Sequence, residues 1–455
     1  MRRILILVLV LVAGAATWPV YVGIQVENAL SEPATGQIGE IRLDHRVTDY
    51  RRDRYGASAD GVLQVTGRGL DFALPVEHRI RHHLLGASAQ SRLVGLPDPE
   101  TLPARWRAVL QQAAPRADSW LGLGGGVNMR FATQSVRLAE EDASAESGTG
   151  FALTLGAGQG GLAHTPERIV VSFDMGTLEW VESDNGLRLE NVYFGLLLHP
   201  GEDGGYERLP DYDIGLGAGS VSLQWRGQEL MGMDGLQMSS WQNSTQERLD
   251  SLLRLRADAF RSAGLALEAM DLHLSALRWS RPALLGVIND LERVRAMELA
   301  PDLRAGLLLG VVLERVQEMI GDDPVLQGHL RLHGAPGRHA RVQLDLGLRG
   351  DAETFASRPL ESVALIFELE MAVALIEEFV ALFHLEAGAT GDQNGSGADA
   401  VQKWLELAVA ENWIRIDDGV VHSRLEMEQG RLLINERDQT VLLLALVFGL
   451  ARGMF

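Results

Sequence analysis

From about Ile38 to Ser240, apolar and polar residues alternate with a period of two, broken by glycine-rich punctuation. IRLDHRV, GVLQVTG, VNMRFATQSVRLA, RIVVSFDMGTLEWV, LRLENVYFGLLL and GSVSLQWRG all follow this rule. Such alternation sends every second side chain to one face of a strand, so these segments predict half-buried antiparallel strands. Two stretches, GTLEWVESDNGLRLENVYFGL from Gly176 and GSVSLQWRGQELMGMDGLQMSS from Gly219, each read as strand, polar turn and strand. A meander of hairpins follows from that pattern. PDPETLPARWRAVLQQAAPRAD, residues 97–118, predicts a short proline-bounded helix that caps a sheet edge.

Near Ser244 the spacing changes to three and four. TQERLDSLLRLRADAFRSAGLALEAM and PALLGVINDLERVRAMELAPDLRAGLLLGVVLERVQEMI predict amphipathic helices. Strands return at HLRLHGAPGRHARVQLDLGLRG. A helix at FELEMAVALIEEFVALFHL, a polar loop at EAGATGDQNGSGADA, a helix from Lys403 to Ala410 and closing strands in WIRIDDGVVHSRLEMEQGRLLIN complete the order. The expected fold class is α+β: a long antiparallel meander sheet, a helical segment and a C-terminal α+β portion. The expected organisation is residues 1–26 as membrane anchor or signal, 27–240 β-rich, 241–325 helical and 326–455 α+β.

Residues from Ile4 to Val26 carry no charge, enough to cross about 30 Å of hydrocarbon. Arg2 and Arg3 precede them, and Trp18 and Tyr21 stand where an interfacial belt would lie. A single-pass inner-membrane anchor with a cytoplasmic N-terminus and a periplasmic bulk is the first expectation. A cleaved signal peptide is the other, since Ala13-Gly14-Ala15 offers a small-residue site. Both export the chain. At the far end, Val441 to Leu450 is apolar throughout and about 15 Å long as a helix, too short to span a bilayer. It reads as a terminal helix on the last sheet, a homodimer contact or a membrane-surface contact.

The formal charge of −20 argues against nucleic acid as a partner. Lys403 is the only lysine, which removes Schiff-base chemistry and phosphate loops elsewhere. With no cysteine there is no disulfide, thiolate nucleophile or thiolate metal site.

Candidate chemistry is sparse. The glycines from Gly122 to Gly126 lack the following helix that a phosphate cradle needs. Asp392, Asn394 and Ser396 alternate as in a calcium loop, but Lys403 stands where the closing acid belongs. His329, His333 and His339 form the best metal candidate if His339 folds back across the Gly334–Gly337 turn. His82 and His83 point to opposite strand faces, and Asp211 with Asp213 reads as surface charge. No nucleophile elbow or zincin helix is present. No catalytic, cofactor-binding or metal residue is therefore assigned, no cofactor is expected, and the chain is read as no enzyme.

YRRDRYGASADG at Tyr50, VEHRIRHHLLG at Val76 and the closing VVHSRLEMEQGRLLIN, together with the N-terminal apolar segment, resemble the YdgA-like family of bacterial envelope proteins (domain of unknown function 945). The chain departs from the family pattern at Arg54-Tyr55-Gly56, at His82-His83-Leu84 and at Glu436, which stands in place of a final glycine. The resemblance implies topology and an envelope location and names no activity. The expected function is a non-enzymatic binding or scaffold protein with an envelope protein or lipid as partner. A groove that carries phospholipid or other acyl ligands is the alternative.

Overall fold

A computed structural model describes residues 24, 26–28, 34–38, 41–53, 56–67, 70–83, 86–97, 101–102, 104–122, 126–141, 150–165, 167–199, 210–262, 265–297, 307, 315, 318, 323–350, 352–358, 360–379 and 397–441. The anchor expected at 4–26, apart from Ile24 and Val26, lies outside the described residues. So do Asp392, Asn394 and Ser396 of the polar loop, and the terminal run beyond Val441. Among the described residues no helix is long and apolar enough to cross a membrane.

The chain forms two compact units, and the fold is β-rich, antiparallel and poor in helix. The first unit comprises Met1–Pro200 with Gln224–Gly227. Its strands β1 (Ala34–Ile38), β2 (Ile41–Arg52), β3 (Gly56–Gly67), β4 (Leu70–His83), β5 (Gly86–Leu93), β6 (Arg116–Gly122) and β7 (Val127–Thr133) pair in succession as a meander. Next, β8 (Val136–Glu141) pairs with β9 (Gly150–Leu155), and β10 (Gly158–Thr165) pairs with β7. β11 (Arg168–Glu182) takes β9 and β10 on one edge and β12 (Asn185–His199) on the other. β6 pairs with β7 but not with β8, and helix α1 (Ala104–Ala113) fills that gap as expected. Gln134 N donates to Ala113 O at 2.7 Å, and Arg137 N donates to Gln112 Oε1 at 3.0 Å.

The second unit comprises Gly201–Leu223 and Gln228–Phe455. It holds most of β13 (Asp211–Trp225), then β14 (Gln228–Ser244), β15 (Arg248–Ala257), β16 (Ala259–Ser262), β17 (Leu265–Ser280), α2 (Arg281–Ala296), β18 (Val325–Gly334), β19 (His339–Leu348), α3 (Ala352–Ser357) and β20 (Val363–Ala372). After a helical stretch at 373–379 come α4 (Gly397–Ala410), β21 (Arg415–Asp417), β22 (Val420–Glu428), β23 (Arg431–Ile434) and β24 (Arg437–Asp438). β14 pairs with β15 and β16, which both pair with β17, and β17, β18, β19, β20, β22, β23 and β24 then follow edge to edge.

Two expectations are corrected. The helices expected from Thr245 to Met270 are strands β15, β16 and β17. Three-and-four spacing arose there because Leu252 adds an apolar residue on the second face. The sequence Leu253-Arg254-Leu255-Arg256-Ala257 beneath it alternates strictly, and cross-strand pairing decides the conformation. The helical segment expected at 241–325 therefore begins only at Arg281, where the Ser280 hydroxyl caps α2 by accepting from Ala283 N at 3.4 Å and Pro282 sits in the first turn. Likewise FELEMAVALIEEFVALFHL opens as the end of β20 and turns helical only at residue 373.

Tight turns with two left-handed residues join the last strands. Gln429 and Gly430 have φ of 50° and 74°, and Asn435 and Glu436 have φ of 47° and 70°. This pairing matches the right-handed twist of a hairpin. Buried Asn435 accepts from Arg424 N at 2.9 Å and donates from Nδ2 to Asn412 O at 2.9 Å, tying the turn to β22 and to the end of α4. Glu436, by contrast, carries a Cβ in a conformation that glycine adopts freely. We expect Glu436→Gly to stabilise the protein by about 1 kcal/mol, read as a higher denaturation midpoint at unchanged slope.

Candidate functional site

Residues directly opposite in antiparallel strands share a face, so the register sorts each sheet into rows. In the first unit one face reads His78–Ser91–Ala117–Phe131–Gly160–Phe173–Phe194 along one row and Ile80–Ala89–Ser119–Met129–Leu162–Val171–Leu196 along the next. The opposite face of the same strands carries Arg116, Asp118, Arg130, Gln159, Ser172 and Asp174. The apolar face is only partly covered: no side chain of β7, β10, β11 or β12 is fully buried. Gly160 has a structural reason to be glycine, since a Cβ there would collide with the Phe131 ring and the Ser172 carbonyl. Its absence lets the rings of Phe131 and Phe173 stack across β10 with centroids 6.1 Å apart.

At the β2–β5 end the same face is buried. Val26 packs with Ala57, Ala59, Ile80 and Ala87, and Glu27 accepts from Arg52 Nη1 at 3.2 Å. Polar groups are set into this patch. His45 Nε2 lies 3.1 Å from His78 Nε2, and His78 Nδ1 lies 2.8 Å from Ser91 Oγ. The imidazoles meet because β3 presents Gly61 between them, where a Cβ would stand 3.0 Å from His45 Nε2 and 3.2 Å from His78 Nε2. Burial pushes both histidines below their ordinary value. For His78 the neighbouring His45 pushes the same way and Asp60 opposes. Two further groups, Tyr50 Oη and both ring nitrogens of His82, are buried and have no hydrogen-bond partner among the described residues. Burial, then Arg52, lowers the His82 value, while burial, then Glu27, raises that of Tyr50.

Ser91, His78 and His45 have the atoms of a nucleophile, a base and an orienting group. Acyl transfer also needs free N–H donors aimed at the developing oxyanion. β5 is paired on both edges, so the amides around Ser91 are committed to the sheet. The trio is a hydrogen-bonded polar thread across an apolar face.

In the second unit the row Ala257–Met270–Leu332–Ala340–Met371–Val421 is roofed by the 373–379 helix, whose Leu375 is fully buried, and by Leu405 and Ala408 of α4. Two rows along, Leu253–Leu274–Gly328–Leu344–Phe367–Leu425 lacks that cover, and Leu274 is 37% exposed against 5% for Leu332.

The residues singled out in the sequence fall as follows. His333 and His339 face each other across the β18–β19 hairpin, as folding back required, but His329 is four positions from His333, about 13 Å along a strand. His329 instead meets the ring of His273, and His339 Nε2 approaches Glu370 at 3.3 Å. Among the described residues no group of three His, Asp or Glu side chains is placed to hold a metal ion. Gly122 N donates to Gly126 O at 2.9 Å in a hairpin joining β6 to β7. His82 is buried and His83 exposed, on opposite faces of β4. Asp211 accepts from Ser244 N at 2.5 Å and from its Oγ at 2.7 Å, a tie between strand ends, while Asp213 is exposed. The sequence reading missed the His45–His78–Ser91 thread, because its members come from separate strands that only the register aligns.

The sequence pattern of a bacterial family of unknown function, DUF945, matches residues 1–441. The chain belongs to the DUF945 family. No curated protein and no solved structure matches it. Two of the stretches that resembled this family, Tyr50 to Gly61 and Val76 to Gly86, lie on β2–β5, where this DUF945 chain builds its polar patch beneath Val26.

The histidine values give a pH test. A folded value below the ordinary 6.5 means that the folded DUF945 chain binds fewer protons than the unfolded one. The associated stability is complete above about pH 6.5, the unfolded value, and is lost as the pH falls from there through the lower folded values. We expect the urea midpoint to drop between about pH 7.5 and 5.5, and the His45→Gln/His78→Gln variant to show a shallower drop. An equal drop in both would exclude this pair as the source.

Proposed function

We propose that this protein is a single-pass protein of the bacterial inner membrane, N-terminus cytoplasmic and bulk periplasmic, that binds an envelope component and catalyses no reaction. The observation that carries this reading is the half-covered apolar face of the first sheet. A soluble domain normally buries such a face against helices or a second sheet, and an extended one left open marks an interaction site. Two features support the location. Ile4 to Val26 is uncharged behind Arg2 and Arg3, and Val26 and Glu27 are fastened to β2–β5 by packing and by the ion pair to Arg52. That fastening would hold the sheet close to the membrane surface.

Geometry supports the absence of catalysis. Ser91 has a base, but the amides around it are committed to the sheet, and in the hollow of about 340 Å³ on the opposite face Glu77 is held by Arg79 and Arg92, both of which donate to it. In the second unit a hollow of about 540 Å³ includes Asp345, which is taken up by Gln327 and Gln343.

Extraction from native membranes followed by native mass spectrometry tests the proposal. The expected result is a membrane-fraction protein carrying a stoichiometric companion, whether phospholipid or protein. Recovery as a bare monomer from the soluble fraction would contradict it.

A further inference from the structure

The apolar face of the first sheet changes character from β4 to β12. Along one row it begins with the hydrogen-bonded His78 and Ser91, beside Ile80 and Ala89 on the next. Small residues follow on β5 and β6, with Ala89 opposite Ser119 and Ser91 opposite Ala117. It ends in a continuous apolar floor over β7, β10, β11 and β12, from Phe131, Met129 and Leu162 to Val171, Phe173 and Leu196. Neighbouring strands are about 4.8 Å apart, so the floor extends for about 14 Å across its three strand spacings. One leaflet of the hydrocarbon core, half of about 30 Å, is about 15 Å thick.

Polarity and length thus match one amphiphile lying across the strands: a polar group beside β4 and β5, and an acyl chain over β7 to β12. The floor is also continuous with the patch on which Val26 is seated, and Val26 ends the uncharged stretch that begins at Ile4. A molecule leaving the outer leaflet beside that stretch would meet the polar end of the face first. Gly160 leaves room for the Phe131 ring to lie over β10 against Phe173, which keeps the floor continuous across that strand.

We propose that this face binds one acyl chain of a phospholipid. The inference rests on the binding role proposed above and names its ligand class. A protein segment would also cover an apolar floor, but nothing in its chemistry would call for the polar-to-apolar gradient.

The test uses the full chain in vesicles of phosphatidylethanolamine and phosphatidylglycerol, with a trace of phosphatidylethanolamine carrying a diazirine midway along one acyl chain. After irradiation and digestion, adducts are mapped by mass spectrometry. Adducts are expected on peptides containing Met129, Phe131, Leu162, Val171 and Phe173, besides those within residues 4–26. In the Leu162→Glu/Val171→Glu variant the sheet adducts should fall at least tenfold while those in 4–26 persist, and Ser172→Glu on the opposite face should leave both unchanged. Thermal unfolding checks that the variants fold, and if the double variant does not, the wild-type adduct map decides alone. Adducts confined to 4–26, or an unchanged yield in the folded double variant, would overturn the proposal. Adducts confined to 4–26 would leave the broader binding role standing. A chain absent from the vesicle fraction would remove that role itself.

Discussion

The organising constraint is register. Antiparallel pairing places opposite residues on one face, and a one-residue slip would send every side chain to the wrong side. In the first unit Phe131, Gly160, Phe173 and Phe194 line up across four strands because each strand alternates in phase with the next. In the second unit Leu253, Leu274, Gly328, Leu344 and Phe367 do the same. What then distinguishes one region from another is cover. Where the 373–379 helix and α4 lie over the sheet, Leu332, Ala340 and Val421 are buried. Where no described helix lies over it, equally apolar rows stay only partly buried.

Polar groups on these faces are placed economically and mostly satisfied by each other. The His45–His78–Ser91 thread exists because Gly61 gives up its side chain, and burial disfavours a charge on its imidazoles. Charge is concentrated instead on the opposite face, where Glu77 accepts from both Arg79 and Arg92. Exposed pairs of this kind contribute little to stability. Their effect is to keep one face wet while the other remains apolar, a division suited to binding an apolar partner on one side.

Much of this was legible in the sequence. Alternation in VNMRFAT and in VSFDM identified their strands and faces, and the prolines around ARWRAVLQQA marked the edge helix. The family resemblance carried by Tyr50 to Gly61, Val76 to Gly86 and the closing hairpin agrees with the match over residues 1–441. The stretch from Thr245 to Met270 was misread because leucines on both faces mimic helical spacing, and only pairing with neighbouring strands resolves the ambiguity. The histidine thread was invisible for a related reason. His45 and His78 are 33 residues apart, and their contact depends on a diagonal across Gly61 that no local pattern encodes.

Because the chain has no cysteine, single cysteines introduced along β11 can report each face in turn. Val171 and Phe173 lie on the apolar face, and Ser172 and Asp174 on the polar one. Labelling of the four variants in native membranes with a membrane-impermeant maleimide, after the outer barrier is opened, measures which face meets water. The account predicts fast labelling at positions 172 and 174 and labelling at least tenfold slower at 171 and 173. Equal rates at all four positions would contradict it.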